Sequence, residues 1–110
     1  MSPALSLKPT SDRKHSVQMR AVLSILRPEP ALFQLLSKFL DLETETIFWD
    51  EIYKLPMAAE HRIAVSWAYS IWTDQPRPRA NYFEGALSMT PDLQFAVLNA
   101  LAIRWGLKRD

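Results

Sequence analysis

Cysteine is absent from this 110-residue chain, which excludes disulfides, thiolate nucleophiles and cysteine-bound metals. A core without cysteine also fits a reducing compartment. Glycine occurs only twice, as Gly85 and Gly106, too rarely for the tight turns that an all-β fold strings together. No large charge of either sign is present: the net charge is +1, so no global field draws the molecule toward nucleic acid or anionic lipid. No apolar run approaches the roughly 20 residues that span a bilayer before a charge interrupts it, and residues 1–10 lack the apolar centre of a signal peptide. A cytoplasmic, non-membrane protein is expected. Phosphate-cradling glycine loops, nucleophile elbows and paired-histidine metal spacings are missing as well, so neither enzyme activity nor a cofactor or metal is expected.

What is present is helical periodicity. Residues 1–11 carry Ser2, Pro3, Ser6, Pro9 and Thr10 with no periodic apolar face and are expected to form an arm. Residues 12–107 should form one helical domain, and 108–110 a tail. A first helix is expected from Ser11 or Asp12 to Arg27, where Pro28 and Pro30 prevent continuation. Leu32, Leu35, Leu36, Phe39 and Leu40 then fall at helical spacing in a second. Thr44 or Thr46 is expected to cap a short third helix carrying Ile47, Phe48, Trp49, Ile52 and Tyr53. A fourth, from about Met57 to Thr73, has Ile63, Ala64, Trp67, Ala68 and Ile71 on one face and Val65, Tyr69 and Trp72 on the next. That much apolar circumference marks a central helix. Asn81 with Glu84 forms a capping pair for a short helix to about Ser88. Thr90-Pro91-Asp92 starts the last helix, whose core residues are Leu93, Ala96, Val97, Ala100, Leu101 and Ile103 and whose end is Gly106, with Leu107 folding back. The expected fold is all-α: a compact single-domain bundle of four main helices and two short ones. Surplus apolar surface on the fourth and last helices suggests a symmetric homodimer.

Candidate sites follow from chemistry-bearing residues. His15 and His61 have no second ligand at a helical interval, and adjacent Glu60 and His61 should point to different faces. Asp41, Glu43, Glu45, Asp50 and Glu51 crowd eleven residues without a Lys or Arg. They form either a solvated face with acids at helix starts or an acidic patch that docks on a basic protein; the glycine-containing order of a calcium loop is missing. Arg13, Lys14, Arg20, Lys108 and Arg109 are the residues on which nucleic-acid binding, the alternative function, would rest. A domain this small buries four tryptophans with difficulty. One or two should reach the surface near the proline loop 73–80, where Trp72, Arg77, Arg79, Tyr82 and Phe83 lie close in sequence. Trp, Tyr and Arg dominate interface hot spots, so these five are the candidate partner-binding residues.

The segment Arg62-Ile-Ala-Val-Ser-Trp-Ala-Tyr-Ser-Ile-Trp72, followed by Leu93-Gln-Phe-Ala-Val-Leu-Asn-Ala-Leu-Ala-Ile-Arg-Trp-Gly106, resembles a pattern in an uncharacterised family of small helical proteins of bacteria and their mobile elements. The resemblance covers about the last half of the chain and implies a helical fold and no catalytic residues; the loop from Pro76 to Ala80 has no counterpart in it. The function expected is that of a small helical regulator or adaptor that binds another protein, one version being an inhibitor encoded by a phage or mobile element, by analogy with other small helical proteins.

Overall fold

A computed structural model describes residues 15–77 and 81–107. The expected arm 1–11 and tail 108–110 lie outside the described residues. Among the described residues, six α-helices form an all-α single domain: α1 (Val17–Leu26), α2 (Pro30–Leu36), α3 (Trp49–Tyr53), α4 (Ala59–Thr73), α5 (Tyr82–Ala86) and α6 (Pro91–Arg104). The expected four main and two short helices are therefore found. One 3-10 turn, Ser37–Phe39, extends α2, and a minimal antiparallel hairpin pairs β1 (Leu40–Asp41) with β2 (Thr46–Ile47).

The core is built around α1. Met19, Ala21, Val22, Leu23, Ile25 and Leu26 are all essentially buried, so α1 is covered over somewhat more than half of its circumference, with Val17, Arg20, Ser24 and Arg27 on the side nearer solvent. It packs most extensively on α6 and next on α4. Small residues allow that approach: Ala64, Ala68 and Ala100 are fully buried and let the helix axes come together. Each large side chain removed from water contributes roughly 1.5–3 kcal/mol, so this central helix carries much of the apolar stabilisation. Toward solvent, α4 in turn supports α5. A Cβ on Gly85 would come within 2.5 Å of Ile63 Cδ1, so a glycine lets α5 lie closely against α4.

Local chemistry explains several helix ends. Asn81 accepts the Glu84 N–H, and Thr90 Oγ1 accepts the Leu93 N–H ahead of Pro91, as both sequence signals implied. At the end of α6 the Gly106 N–H bonds the Ile103 carbonyl and the Leu107 N–H bonds the Ala102 carbonyl, with Gly106 at φ 75°. This double closure needs a residue tolerant of the left-handed region, which glycine supplies. The Leu107 backbone folds back as expected, but its side chain is exposed.

Three boundaries differ from expectation: the second helix ends at Leu36, so Phe39 falls in the 3-10 turn and Leu40 in β1, and two helix starts are displaced. The first helix begins at Val17, with Ser16 Oγ accepting the Met19 N–H, and not at Ser11 or Asp12. The third begins at Trp49 after Phe48. Thr44 and Thr46, expected as its caps, instead bond each other at 2.9 Å in the hairpin. The reason is Asp41, whose carboxylate accepts the Glu43 and Thr44 N–H groups and closes a turn before a helix can start. Glu45 then takes φ 54°, and its carboxylate reaches across to α1. It accepts the Ser16 N–H at 2.8 Å and lies 3.3 Å from His15 Nδ1.

Glu45 thereby places a negative charge at the positive end of α1 from a distant loop. Hydrogen bonds from Ser16, foremost, and the nearby His15 hold its carboxyl below the ordinary glutamate range, against the opposing effect of burial. A carboxyl whose folded value is depressed stabilises the fold above its unfolded value and loses that contribution as pH falls through the folded one. Glu45→Gln is expected to cost about 1 kcal/mol at neutral pH and to flatten the acid limb of the stability curve, measured by urea unfolding between neutral and acidic pH. An unchanged acid limb would contradict this role.

Candidate functional site

Around the end of α4, two aromatic clusters lie on different sides. One joins α3 to α4: Trp49 meets Tyr69 edge-on at 5.3 Å, and Tyr53 meets Tyr69 at 5.9 Å. Arg77 closes over it, with its guanidinium carbon 3.6 Å from the Tyr53 ring centre and 5.8 Å from that of Tyr69. The other joins α4 to α5: Trp67 meets Tyr82 at 4.9 Å and Phe83 at 6.4 Å, both edge-on. Between them the Tyr82 hydroxyl acts as a hub. It accepts the Arg77 N–H at 2.6 Å, shares a hydrogen bond with Ser70 Oγ and lies 3.4 Å from the Ser66 carbonyl oxygen. The hub ties the proline-loop backbone to α4.

The second cluster forms the wall of an open cleft of about 420 Å³ among α4, α5 and α6. Its apolar lining includes Trp67, Ile71, Tyr82, Phe83, Leu101 and Trp105. Its charges are spent internally. Arg104 Nη2 lies 2.8 Å from each carboxylate oxygen of Asp74, and Arg104 Nε donates to the Ile71 carbonyl at 3.1 Å. Asp74 stands in the left-handed region at φ 61° and its N–H bonds the Ser70 carbonyl, so this pair closes the C-terminus of α4. A cleft with a neutralised ion pair, bonded hydroxyls and large apolar walls suits an apolar side chain better than bond-making chemistry.

The exposed apolar surface continues along α6. Phe83 is 85% exposed, Phe95 70%, Leu98 60% and Trp105 65%. At 100° per residue, Pro91, Gln94, Phe95, Leu98, Leu101, Ala102 and Trp105 share one face. All are exposed or half-buried, and none is charged. Leu93, Ala96, Val97, Ala100 and Ile103 occupy the opposite face, buried on the core.

The five expected partner-binding residues do not all converge. Tyr82 and Phe83 line the cleft. Arg77 sends its guanidinium to the other aromatic cluster, and Arg79 lies outside the described residues. Trp72 is half-buried and turned the other way, lining a recess with Ser16, Gln18 and Glu45. Its nearness to the loop is in sequence only, because successive positions on α4 point in different directions. The tryptophan that reaches the surface near Pro76 is Trp105.

The acidic residues are dispersed into separate roles. Asp41 closes the hairpin turn, with Thr44 foremost in holding its carboxyl below the usual range. Glu45 binds the start of α1, Asp50 and Glu51 lie in the first turn of α3, and Glu51 is 3.5 Å from Lys54. Glu43 is exposed. Of the basic set, Arg13, Lys14, Lys108 and Arg109 lie outside the described residues, and Arg20 is half-buried on α1 beside Asn99 and Ile103. His15 is a half-buried structural histidine paired with Glu45 thirty positions away, whereas His61 departs from expectation, its Nε2 coming within 3.8 Å of adjacent Glu60. No group of three or more His, Asp or Glu among the described residues could hold a metal ion, and no helix among them is long and apolar enough to cross a membrane.

Sequence reasoning missed Trp67, Asp74 and Arg104 as cleft residues; it found surplus apolar surface on the last helix but did not place it on the outer face of α6. The signal for that face was present, since Phe95 and Leu98 fall outside the set Leu93, Ala96, Val97, Ala100 and yet are large and apolar. Neither a scan of protein-family models nor a search of the curated proteins or of the solved structures finds a match.

Burial pushes the Tyr53 phenol up to about 12, and the Arg77 cation pulls it partly back. For an acid whose folded value is raised, the unfolded chain loses its proton first, so stability falls as pH rises from about 10 to 12. Alkaline titration followed by tyrosinate absorbance is expected to show a late phase that disappears in Tyr53→Phe. In Arg77→Met that phase should move to higher pH. A downward movement would contradict the stacking of Arg77 on Tyr53.

Proposed function

We propose that this protein is a small helical protein-binding regulator or adaptor without catalytic activity, and that it docks through the surface formed by α5 and the outer face of α6. The observation that carries this reading is the exposure of Phe83, Phe95, Leu98 and Trp105 on one side of the domain. Large apolar groups gathered beside a cleft mark interaction surfaces more often than inert ones, and aromatic anchors supply most of the binding energy at such surfaces. The internal use of Arg104 and Asp74 supports the same view, because it leaves the cleft without a net charge to select a charged small ligand. The charged residues of the notional acidic patch contribute less, being engaged in turns and helix starts. An inhibitor from a phage or mobile element is one form of such a regulator, by analogy with other small helical proteins.

The double variant Phe83→Asp with Trp105→Asp tests this directly. Both side chains are exposed, so stability should change by no more than about 1 kcal/mol. Proteins retained from the native host by the tagged wild-type chain should be lost from the variant in quantitative affinity capture. Retention of the same set by both would contradict docking through this surface.

A further inference from the structure

The outer face of α6 has a regularity that points to its occupant. Counted from Leu98, its members stand at −7, −4, −3, 0, +3, +4 and +7: Pro91, Gln94, Phe95, Leu98, Leu101, Ala102 and Trp105. That spacing belongs to any helix face centred on one residue; here large apolar groups, one glutamine and no charge fill it. Phe95 and Ala102 lie on one flank of Leu98, Gln94 and Leu101 on the other, by the 100° turn per residue. Resting on the reading of this surface as a protein-docking surface, we infer that its occupant is a second copy of this chain, with the two α6 helices packed antiparallel about a two-fold axis through Leu98.

Three features favour that occupant. The first is size complementarity. An antiparallel two-fold brings like flanks together with reversed levels, so Phe95 meets the partner's Ala102, Leu101 meets the partner's Gln94, and Leu98 meets its own copy. A parallel pairing would put both Phe95 side chains at one level and both Ala102 side chains at another, crowding the first and leaving the second thin. The second is charge. A face without a charged residue offers a charged partner nothing to pair with, whereas an identical face buries no unpaired charge against it, and antiparallel helix dipoles attract. The third is continuity. Gln94 Nε2 donates to the Ala86 carbonyl at 2.8 Å, which fixes the end of α5 beside the Gln94 flank. Exposed Leu87 then stands on the side where the partner's Leu101 and Trp105 arrive, extending the contact beyond the single helix pair.

The lack of cysteine allows a register-specific test in the full chain. Wild-type protein should sediment as a dimer in the micromolar range, and Leu98→Arg should weaken association at least tenfold while keeping its helical circular-dichroism spectrum. Leu98→Cys should cross-link to its copy under mild oxidation. Phe95→Cys should cross-link no more than the exposed control Lys38→Cys, because the two Phe95 positions would be about 9 Å apart along the axis, beyond disulfide reach. A monomeric wild type, or a dimer in which Leu98→Cys links no better than Lys38→Cys, would overturn the inference. If the chain is monomeric yet Phe83 and Trp105 still govern capture of another protein, self-pairing fails and the docking reading stands. If capture is independent of them and the Leu98 link forms, the surface serves assembly alone.

Discussion

Enclosure of α1 between α6 and α4 is the constraint on which the other elements depend. Met19, Val22, Leu23, Ile25 and Leu26 make one broad side of the helix and are all buried, so neighbours must pack along that whole side. α6 contributes Leu93, Val97, Ala100 and Ile103, and α4 contributes Ala64, Val65, Ala68 and Ile71. Once both lie against α1, each has one face spent inward. The remaining face of α4 receives α5 and the aromatic residues of α3. That of α6 is left without a cover inside the described domain.

Charged groups then act as clamps between elements. Glu45 anchors the hairpin to the start of α1, and Arg104 joins α6 to the end of α4 through Asp74 and the Ile71 carbonyl. Arg77 lies over Tyr53 while its backbone is held by Tyr82. Isolated exposed ion pairs contribute little, but Arg104 also satisfies a carbonyl that a helix end would otherwise leave open. Because these charges are committed internally, the aromatic and aliphatic groups near them set the character of the cleft.

Much of the fold was legible in the sequence where a local rule acts alone. Thr90-Pro91-Asp92, Asn81 with Glu84, and Gly106 each specify an end through side-chain or backbone chemistry within a few residues, and all three ends stand where those rules place them. The hairpin was not legible: two-residue strands carry no periodic signal, and Thr44 and Thr46 are good caps in isolation. Nor were the Glu45–Ser16 and Arg104–Asp74 contacts, which join residues about thirty positions apart and exist only once the helices are packed. Of the site, Tyr82 and Phe83 could be picked out by composition, but Trp72 was grouped with them by chain proximity when helical phase turns it away. Trp105 and Leu98 needed the wheel of α6 divided into two apolar faces instead of one.

Native-state hydrogen exchange tests the centrality of α1 most directly. Backbone amides in enclosed helices open only with the whole domain, whereas peripheral elements open locally. The amides of α1 from Ala21 to Leu26 should exchange as slowly as any in the chain, at the limit set by global unfolding, and those of α5 markedly faster. Exchange of α1 at the rate of α5, with α4 and α6 still protected, would show that the domain does not depend on its enclosed helix.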